Sequence, residues 1–402
     1  MKKTNKLYEL EKKYGANNYH PLDVCLSKGK GIWVWDTEGK KYLDFLSSYS
    51  AINQGHCNKK IADTIIAQMK NLTLTSRAFH NDKLPLFYEK LCKLAKMDKM
   101  LPMNSGAEAV ETSIKAIRKW GYKIKGVEKN KAEIIVSKNN FHGRTTTVIS
   151  FSSDEQYKDG FGPLTPGFIE IPFGDSNALK RAINKNTVAF LTEPIQGECG
   201  IIIPPEGFLK KAQNICKENN VLFILDEIQT GLCRTGKFFA YQHEAGVKPD
   251  GLILGKALSG GFYPISAFLS KREVMDVFNP GDHGSTFGGN PLASAIAIAS
   301  LDILIKDKLA ENANKTGKYF VSKLRAMITN YIKEVRGKGL LIGVELNDNA
   351  GGARRFCEAL MKEGLLCKET HENIIRFAPP LVIKKDEIDW AMKKIEKVFA
   401  TI

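Results

Sequence analysis

The middle of the chain alternates short apolar runs with amphipathic stretches, and this alternation constrains the fold more than any other feature. The apolar runs are EIIVS (133–137), TVAFLTEP (187–194), VLFILDE (221–227) and GLIL (251–254). Their length and composition are typical of strands buried on both faces, and the segments between them have helical spacing. The pattern predicts a doubly wound α/β layer with a mainly parallel sheet, whose ligand sites lie at the carboxyl ends of the strands.

The flanking regions predict a smaller second unit. IWVWDTEGKKYLDF (32–45) is typical of a hairpin, and a long helical stretch (291–313) leads into probable strands at 334–346 and 373–383. With 402 residues, the chain is longer than one ordinary domain. We therefore expect an N-terminal segment over 1–55, a large domain over 56–306 and a small α+β domain over 307–402.

Composition limits the classes of function. The net charge is +15, but the lysines are spread along the chain among acids, so a solvated surface is favoured over a nucleic-acid-binding face. No apolar run is long enough to span a bilayer, and the basic N-terminus lacks the apolar segment of a secretory signal, which favours the cytoplasm. The eight cysteines form no CxxC pair and the histidines no HExxH motif, so we predict neither disulfides nor a metal site.

A turn in MNSGAEAVE (103–111) leads directly into a predicted helix. The free N–H groups at a helix start bind phosphate well, Ser105 can add a hydroxyl donor, and Gly106 lets the backbone approach closely. The motif alone is weak, because small residues cap many helices.

Two charged residues follow buried strands. Asp226 ends VLFILD, and a buried carboxylate needs a partner, either a capping N–H group or a cation such as a protonated cofactor ring. Lys256 follows GLIL, at the same predicted sheet edge, where desolvation makes a lysine a nucleophile. A lysine, a buried aspartate and a phosphate site at one edge form the combination that pyridoxal phosphate requires.

Six sequence blocks resemble the class III, fold-type I pyridoxal-phosphate aminotransferases. They are MNSGAEA, NNFHGRT, TEPIQGECG, LDEIQTGLCRTG, LGKALSGG and HGSTFGGNP, in the order and spacing of that family. NYHPL (18–22), FLSSYSAINQGHC (45–57), LTLTSRAF (72–79), VRGKGLL (335–341) and IIRFAPPLVI (374–383) further resemble the ornithine-using members. The resemblance covers nearly the whole chain. It implies a seven-stranded sheet domain flanked by helices, with a smaller α+β domain.

The resemblance implies a role for each residue of a pyridoxal-phosphate site. Lys256 would bind the cofactor covalently and shuttle the proton, and Asp226 would keep the ring nitrogen protonated. The remaining cofactor-binding residues share one task, which is to hold the ring and the phosphate. They are Ser105, Gly106 and Ala107 at the phosphate, Phe141 on the ring face with His142 beside it, Gln229 at the phenolic oxygen, and Thr286 from the neighbouring subunit of a homodimer.

The resemblance also implies how one pocket handles two substrates. Arg144 would bind the α-carboxylate of ornithine, which directs its δ-amine to the cofactor. Arg376 would bind the α-carboxylate of glutamate or 2-oxoglutarate, and Glu198 would mask it while ornithine reacts. Tyr19 would lie near the α-amino group of ornithine and Tyr49 beside the pocket.

Alternatives remain open from the sequence. Acetylornithine and 4-aminobutyrate aminotransferases share the cofactor blocks, and the contexts of Tyr19 and Tyr49 favour ornithine over them. A basic nucleic-acid-binding protein would explain the charge but not the coincidence of Lys256, Asp226 and Arg144. A cofactor-binding protein without catalysis is disfavoured by the intact lysine, aspartate and arginines.

Overall fold

The computed structural model describes residues 3–402, which begin with a helix and a small meander. The elements in order are α1 (Lys3–Tyr14), β1 (Leu26–Lys30), β2 (Trp33–Asp36), β3 (Lys41–Asp44) and the single turn α2 (Ser47–Ser50). Strands β2 and β3 pair antiparallel, which confirms the predicted hairpin.

The central part of the chain forms a seven-stranded sheet with helices around it. Its elements are α3 (Lys59–Met69), α4 (Leu84–Ala95), β4 (Lys99–Met103), α5 (Gly106–Trp120), β5 (Glu133–Ser137), α6 (Thr146–Ile149), β6 (Phe168–Ile171), α7 (Ser176–Ala182), β7 (Thr187–Thr192), α8 (Phe208–Glu218), β8 (Leu222–Asp226), β9 (Gly251–Leu254), β10 (Ser266–Ser270), α9 (Arg272–Met275) and α10 (Pro291–Lys306). The strand order is β4-β10-β9-β8-β7-β5-β6. Only β10 is antiparallel to its neighbours, so the sheet is mainly parallel, as predicted.

The C-terminal part adds a second layer. It contains α11 (Leu309–Arg325), β11 (Ile332–Lys338), β12 (Leu341–Leu346), α12 (Arg354–Lys362), β13 (Leu365–Leu366), β14 (Lys368–Thr370), β15 (Ile374–Phe377) and α13 (Lys385–Thr401). One sheet has the order β11-β12-β15-β14, and β13 joins β3 in the N-terminal sheet. The predicted helical stretch over 291–313 is divided at Lys308, whose φ is +51°. The domain limits at 55/56 and 306/307 stay predictions.

Complete burial explains why the central strands are continuously apolar. Every residue of β7, β8 and β9 is buried. Helix α5 covers one face with residues such as Val110 and Ile117. Because β4, β5, β7, β8 and β9 run in the same direction, their carboxyl ends meet at one edge, and the residues that follow them converge there.

The turn α2 is left-handed. Its φ angles are +51° at Ser47, +48° at Ser48, +59° at Tyr49 and +73° at Ser50. Left-handed conformation costs residues with a β-carbon roughly 1–2 kcal/mol each. The Asp44 carboxylate accepts hydrogen bonds from the N–H groups at 46 and 47, at 2.8 and 2.9 Å, and so fixes the start of the turn.

Residues 3–402 contain neither a membrane-spanning helix nor a cluster of metal-binding side chains. None of the helices there is long and apolar enough to cross a membrane. No group of three or more His, Cys, Asp or Glu side chains in that range is placed to hold a metal ion.

Helix α11 packs closely against the turn after β11, where Gly317 faces the backbone of Gly339. A β-carbon at Gly317 would lie 1.9 Å from the carbonyl oxygen of Gly339, which is backbone and cannot rotate away. We expect Gly317→Ala to lower the free energy of unfolding by about 1–3 kcal/mol, although alanine favours helix. Denaturant unfolding measures this change, and Lys315→Ala, exposed on the same helix, is the control. Equal stability of the two variants would contradict the packing described.

Candidate active site

A cavity of about 190 Å³ lies at the carboxyl edge of the central sheet. A larger cleft of about 1290 Å³ opens beside it, and both are lined by Phe141 and Lys256. The other residues around the small cavity come from segments that follow separate strands. They are Gly106, Ala107, His142, Gly143, Glu193, Asp226, Ile228 and Gln229.

The start of α5 forms one wall of the cavity. Gly106 and Ala107 occupy the first turn, where backbone N–H groups have no acceptor within the helix. Ser105 is instead committed to capping, because its hydroxyl accepts from the N–H of Glu108 at 3.2 Å and its N–H donates to the Glu108 carboxylate at 2.7 Å. The predicted phosphate contacts of Gly106 and Ala107 are thus well placed, whereas the Ser105 hydroxyl does not line the cavity.

Lys256 begins a short turn directly after β9 and Gly255. Its φ is +43°, in the left-handed region that is disfavoured for a residue with a β-carbon. Burial, only partly offset by the negative charge of Glu198, lowers the pKa of Lys256 to about 8. A substantial fraction of its amine is therefore neutral, and nucleophilic, in mildly alkaline solution.

Asp226, at the end of β8, is 3% exposed and has two partners. One carboxylate oxygen accepts from the N–H of Ile228 at 2.9 Å, and the other lies 2.6 Å from Nδ1 of His142. Burial tends to lower the pKa of His142, but the hydrogen bond and charge of Asp226 raise it above its usual value. Asp226 therefore caps a turn and also pairs with the titratable ring of His142, while its bond to a cofactor ring nitrogen stays a prediction.

A second buried carboxylate, Glu193, supports the cavity from behind. It accepts from the N–H groups of Phe141 at 3.1 Å and Gly197 at 3.2 Å. Burial raises the pKa of Glu193 to about 7. These hydrogen bonds connect the segment after β5 to the segment after β7 and fix the backbone that carries Phe141.

The cavity fits a planar polar ring with a phosphate. Two buried side-chain atoms that line it, Nε2 of His142 and Oε1 of Gln229, have no hydrogen-bond partner among residues 3–402. A β-carbon at Gly106 would lie 3.1 Å from Ile228, so glycine keeps the helix start open. Pyridoxal phosphate has this shape and these polar groups.

An ion pair joins a buried arginine to a glutamate that is partly exposed in the cleft. Arg376, on β15, is 1% exposed, and its Nη1 donates to Glu198 at 2.9 Å. The same carboxylate oxygen accepts from Nε2 of Gln229 at 2.6 Å. Burial raises the pKa of Glu198, but the cations of Arg376 and Lys256 and the bond from Gln229 together lower it below its usual value. Gln229 thus contacts Glu198, and its bond to a ring oxygen stays a prediction.

The second arginine has a different environment. Arg144 is exposed in the cleft, and no carboxylate of residues 3–402 lies within 4.0 Å of its guanidinium. Its Cζ atom lies 4.2 Å from the ring centroid of Tyr157. The site therefore has one guanidinium beside the cleft that is paired with a carboxylate, and one in the cleft that has no carboxylate partner among residues 3–402.

The remaining predicted residues lie at the margin. Tyr49 lines the cleft, with the Cζ atom of Arg376 5.5 Å from its ring centroid. Tyr19 also lines the cleft and is 67% exposed. Thr286 is exposed and lines neither space. Three predicted residues line neither the small cavity nor the cleft: Ser105, Thr286 and Arg376. Of these, Arg376 is next to the cleft, because it contacts Glu198, which lines it.

Sequence reasoning missed Glu193 and Tyr157. Glu193 directly follows β7 and Asp226 is the last residue of β8, so the rule that finds a carboxylate at the end of a buried strand applies to both. Tyr157 lies in a loop without periodicity, and no signal in the sequence singled it out.

Comparison with known proteins identifies the family. The family described as aminotransferase class-III matches residues 14–399. The chain is 60% identical to an ornithine aminotransferase of Geobacillus sp. (strain WCH70), over 402 residues and 100% of both chains.

Solved structures have the same fold over the full length. The ornithine aminotransferase from Toxoplasma gondii ME49 has a TM-score of 0.97 and 43% identity, covering 100% of this chain and 96% of that one. An acetylornithine aminotransferase from Elizabethkingia anophelis has a TM-score of 0.91 and 50% identity, covering 100% of both. The sequence and fold comparisons agree with the site, in which Lys256 and Asp226 lie at one edge of the sheet. The chain belongs to the class-III aminotransferases and has their fold-type I architecture.

Proposed function

We propose that the protein is an ornithine δ-aminotransferase. It transfers the δ-amino group of L-ornithine to 2-oxoglutarate and releases glutamate 5-semialdehyde and L-glutamate in two half-reactions. The observation that carries this proposal is the contrast between Arg376, paired with Glu198 at 2.9 Å, and Arg144, which has no carboxylate partner among residues 3–402. Full-length relatives that are 56–60% identical and named ornithine aminotransferases support it.

Because Arg376 is paired with a carboxylate and Arg144 is not, Arg144 is the arginine that receives ornithine, and this determines which end of ornithine reacts. The free guanidinium of Arg144 binds the donor carboxylate with bidentate geometry, which leaves the distal amine near Lys256. If Arg376 bound that carboxylate instead, the α-amine would be presented for reaction. The bond to Glu198 keeps Arg376 masked until a dicarboxylate competes for it, so one pocket serves both substrates.

Class-III aminotransferases use pyridoxal 5'-phosphate, which supplies an aldehyde carbon that carries the amino group and a ring that accepts electrons. Gly106 and Ala107 would hold the phosphate at the start of α5. Asp226 would hold a proton on the ring nitrogen, with His142 orienting this carboxylate. Lys256 would move a proton to and from the substrate carbon, and its lowered pKa suits this exchange.

The assembly that we propose is a homodimer. Large apolar side chains are exposed on and after α3, namely Ile66 (56%), Met69 (58%) and Phe79 (72%), and Phe287 is 48% exposed beside Thr286. Such residues favour burial against a second copy. In that dimer Thr286 of one protomer would reach the phosphate bound by its partner. A cytoplasmic location and a place in proline synthesis or arginine breakdown stay predictions.

Acetylornithine and 4-aminobutyrate aminotransferases are the alternatives. The 50% identity to the acetylornithine aminotransferase from Elizabethkingia anophelis favours the first of these. In N-acetylornithine, however, the α-amine is acetylated and cannot react. An enzyme for that substrate would gain no selectivity from masking Arg376. The purified enzyme, assayed with ornithine, N-acetylornithine and 4-aminobutyrate, should prefer ornithine. Activity with the acetylated donor alone would overturn the proposal.

The mask can be removed by Glu198→Ala. Because Arg376 is then free, we expect the ratio of δ- to α-transamination to fall roughly tenfold or more, since 1.4 kcal/mol of lost masking is a factor of ten. Product analysis with ornithine and with other α-amino donors measures the ratio. Glu89→Ala, which breaks an exposed pair with Lys93, is the control. An unchanged ratio in Glu198→Ala would contradict the mask.

The pKa of Lys256 predicts how the protein captures its cofactor. Only the neutral amine reacts with an aldehyde, so the rate of cofactor capture should rise with pH and then level off, with the midpoint of the rise at about pH 8. Glu198→Ala should move this midpoint downward, because Glu198 stabilises the charged amine. Stopped-flow absorbance with the apoprotein measures the rate, and Lys256→Ala should show neither the visible band nor turnover. A midpoint near the ordinary lysine value of about 10.4 would refute the lowered pKa.

A further inference from the structure

Arg144 has the length and freedom of an exposed arginine, yet its guanidinium is restrained from one side. Its Cζ atom lies 4.2 Å from the ring centroid of Tyr157 and 5.9 Å from that of Phe141. Its Nη2 donates to the hydroxyl of Tyr157 at 3.2 Å. A side chain that is ordered before the ligand arrives loses less entropy on binding, and the complex is correspondingly tighter.

We propose that Tyr157 is a positioning residue that holds Arg144 for the donor carboxylate. Tyr157 thereby sets the preference for donors that carry a carboxylate at the end away from the reacting amine. The inference rests on the proposed function only in assigning carboxylate binding to Arg144. It makes the substrate preference depend on a loop residue as well as on the guanidinium itself.

Tyr157 is itself held in place. It ends a short turn in which the Asp154 carboxylate accepts from the N–H of Gln156 at 3.0 Å and the N–H of Tyr157 donates to the Asp154 carbonyl at 3.1 Å. Its ring meets that of Phe141 edge to face, with centroids 6.4 Å apart. The ring that stacks on Arg144 thus also packs on the residue predicted to cover the cofactor.

The hydroxyl of Tyr157 can both accept a hydrogen bond and donate one. Burial raises the pKa of Tyr157, so the phenol keeps its proton at neutral pH. Its oxygen accepts from Arg144, and its hydrogen has no acceptor among residues 3–402. That hydrogen can therefore be donated to an oxygen of the carboxylate that Arg144 binds.

The test compares ornithine with 1,4-diaminobutane, which is ornithine without its carboxylate. We expect Tyr157→Leu to lower kcat/KM for ornithine by about 5–30-fold, mainly through KM, and to change that for 1,4-diaminobutane by less than about twofold. Tyr157→Phe keeps the ring and should lose only about 2–10-fold. Tyr122→Phe removes a hydroxyl outside the cleft and should change neither value.

A double-mutant cycle gives an independent readout with ornithine alone. In an Arg144→Gln background, Tyr157→Leu should have a much smaller effect than in the wild type, because there is no guanidinium left to position and only the hydroxyl's own bond to the carboxylate remains to be lost. Equal losses for both donors, or additive effects with Arg144→Gln, would overturn the inference. If the wild type used only N-acetylornithine, the proposed function would fail, but the same cycle would still decide on Tyr157, since that donor also carries a distal carboxylate.

Discussion

The ion pair between the buried Arg376 and the partly exposed Glu198 connects substrate selection to the reactive lysine. Arg376 is 1% exposed, so removing Glu198 would leave a buried guanidinium charge uncompensated. The pair is also poised for exchange, because a substrate carboxylate can replace Glu198. The negative charge of Glu198 raises the pKa of Lys256 and so opposes the effect of burial, which links substrate selection electrostatically to the reactive amine.

The parallel sheet makes this arrangement possible. Strands β5, β7, β8 and β9 all deliver their following residues to one edge, where charged groups can approach each other while the strands stay apolar. The left-handed turn α2 adds the last wall, since it brings Tyr49 to Arg376 and lets Nη2 of Arg376 reach the Ser50 hydroxyl at 3.4 Å. The Asp44 carboxylate, which accepts from the N–H groups at 46 and 47, offsets part of the conformational cost of that turn.

Much of the fold and site could be predicted because it follows from strand periodicity. Asp226 and Lys256 were identified since each follows a buried strand, and the same rule reaches Glu193. The S-x-x-E spacing of Ser105 and Glu108 is a capping signature, so the use of the Ser105 hydroxyl in the cap could also have been anticipated. The turn at 47–50 could not, because four residues with β-carbons favour other conformations. The Tyr157–Arg144 contact depends on a loop whose path no local pattern determines.

If Arg376 is masked by Glu198 while ornithine reacts, the δ-amine alone is transferred. The most direct measurement supplies the wild-type enzyme with ornithine labelled with ¹⁵N at either the α or the δ position and follows the label into glutamate. With Arg376 masked, we expect glutamate to acquire the δ-label and the α-label to stay in the semialdehyde product. Transfer of the α-label to glutamate at a comparable rate would contradict it.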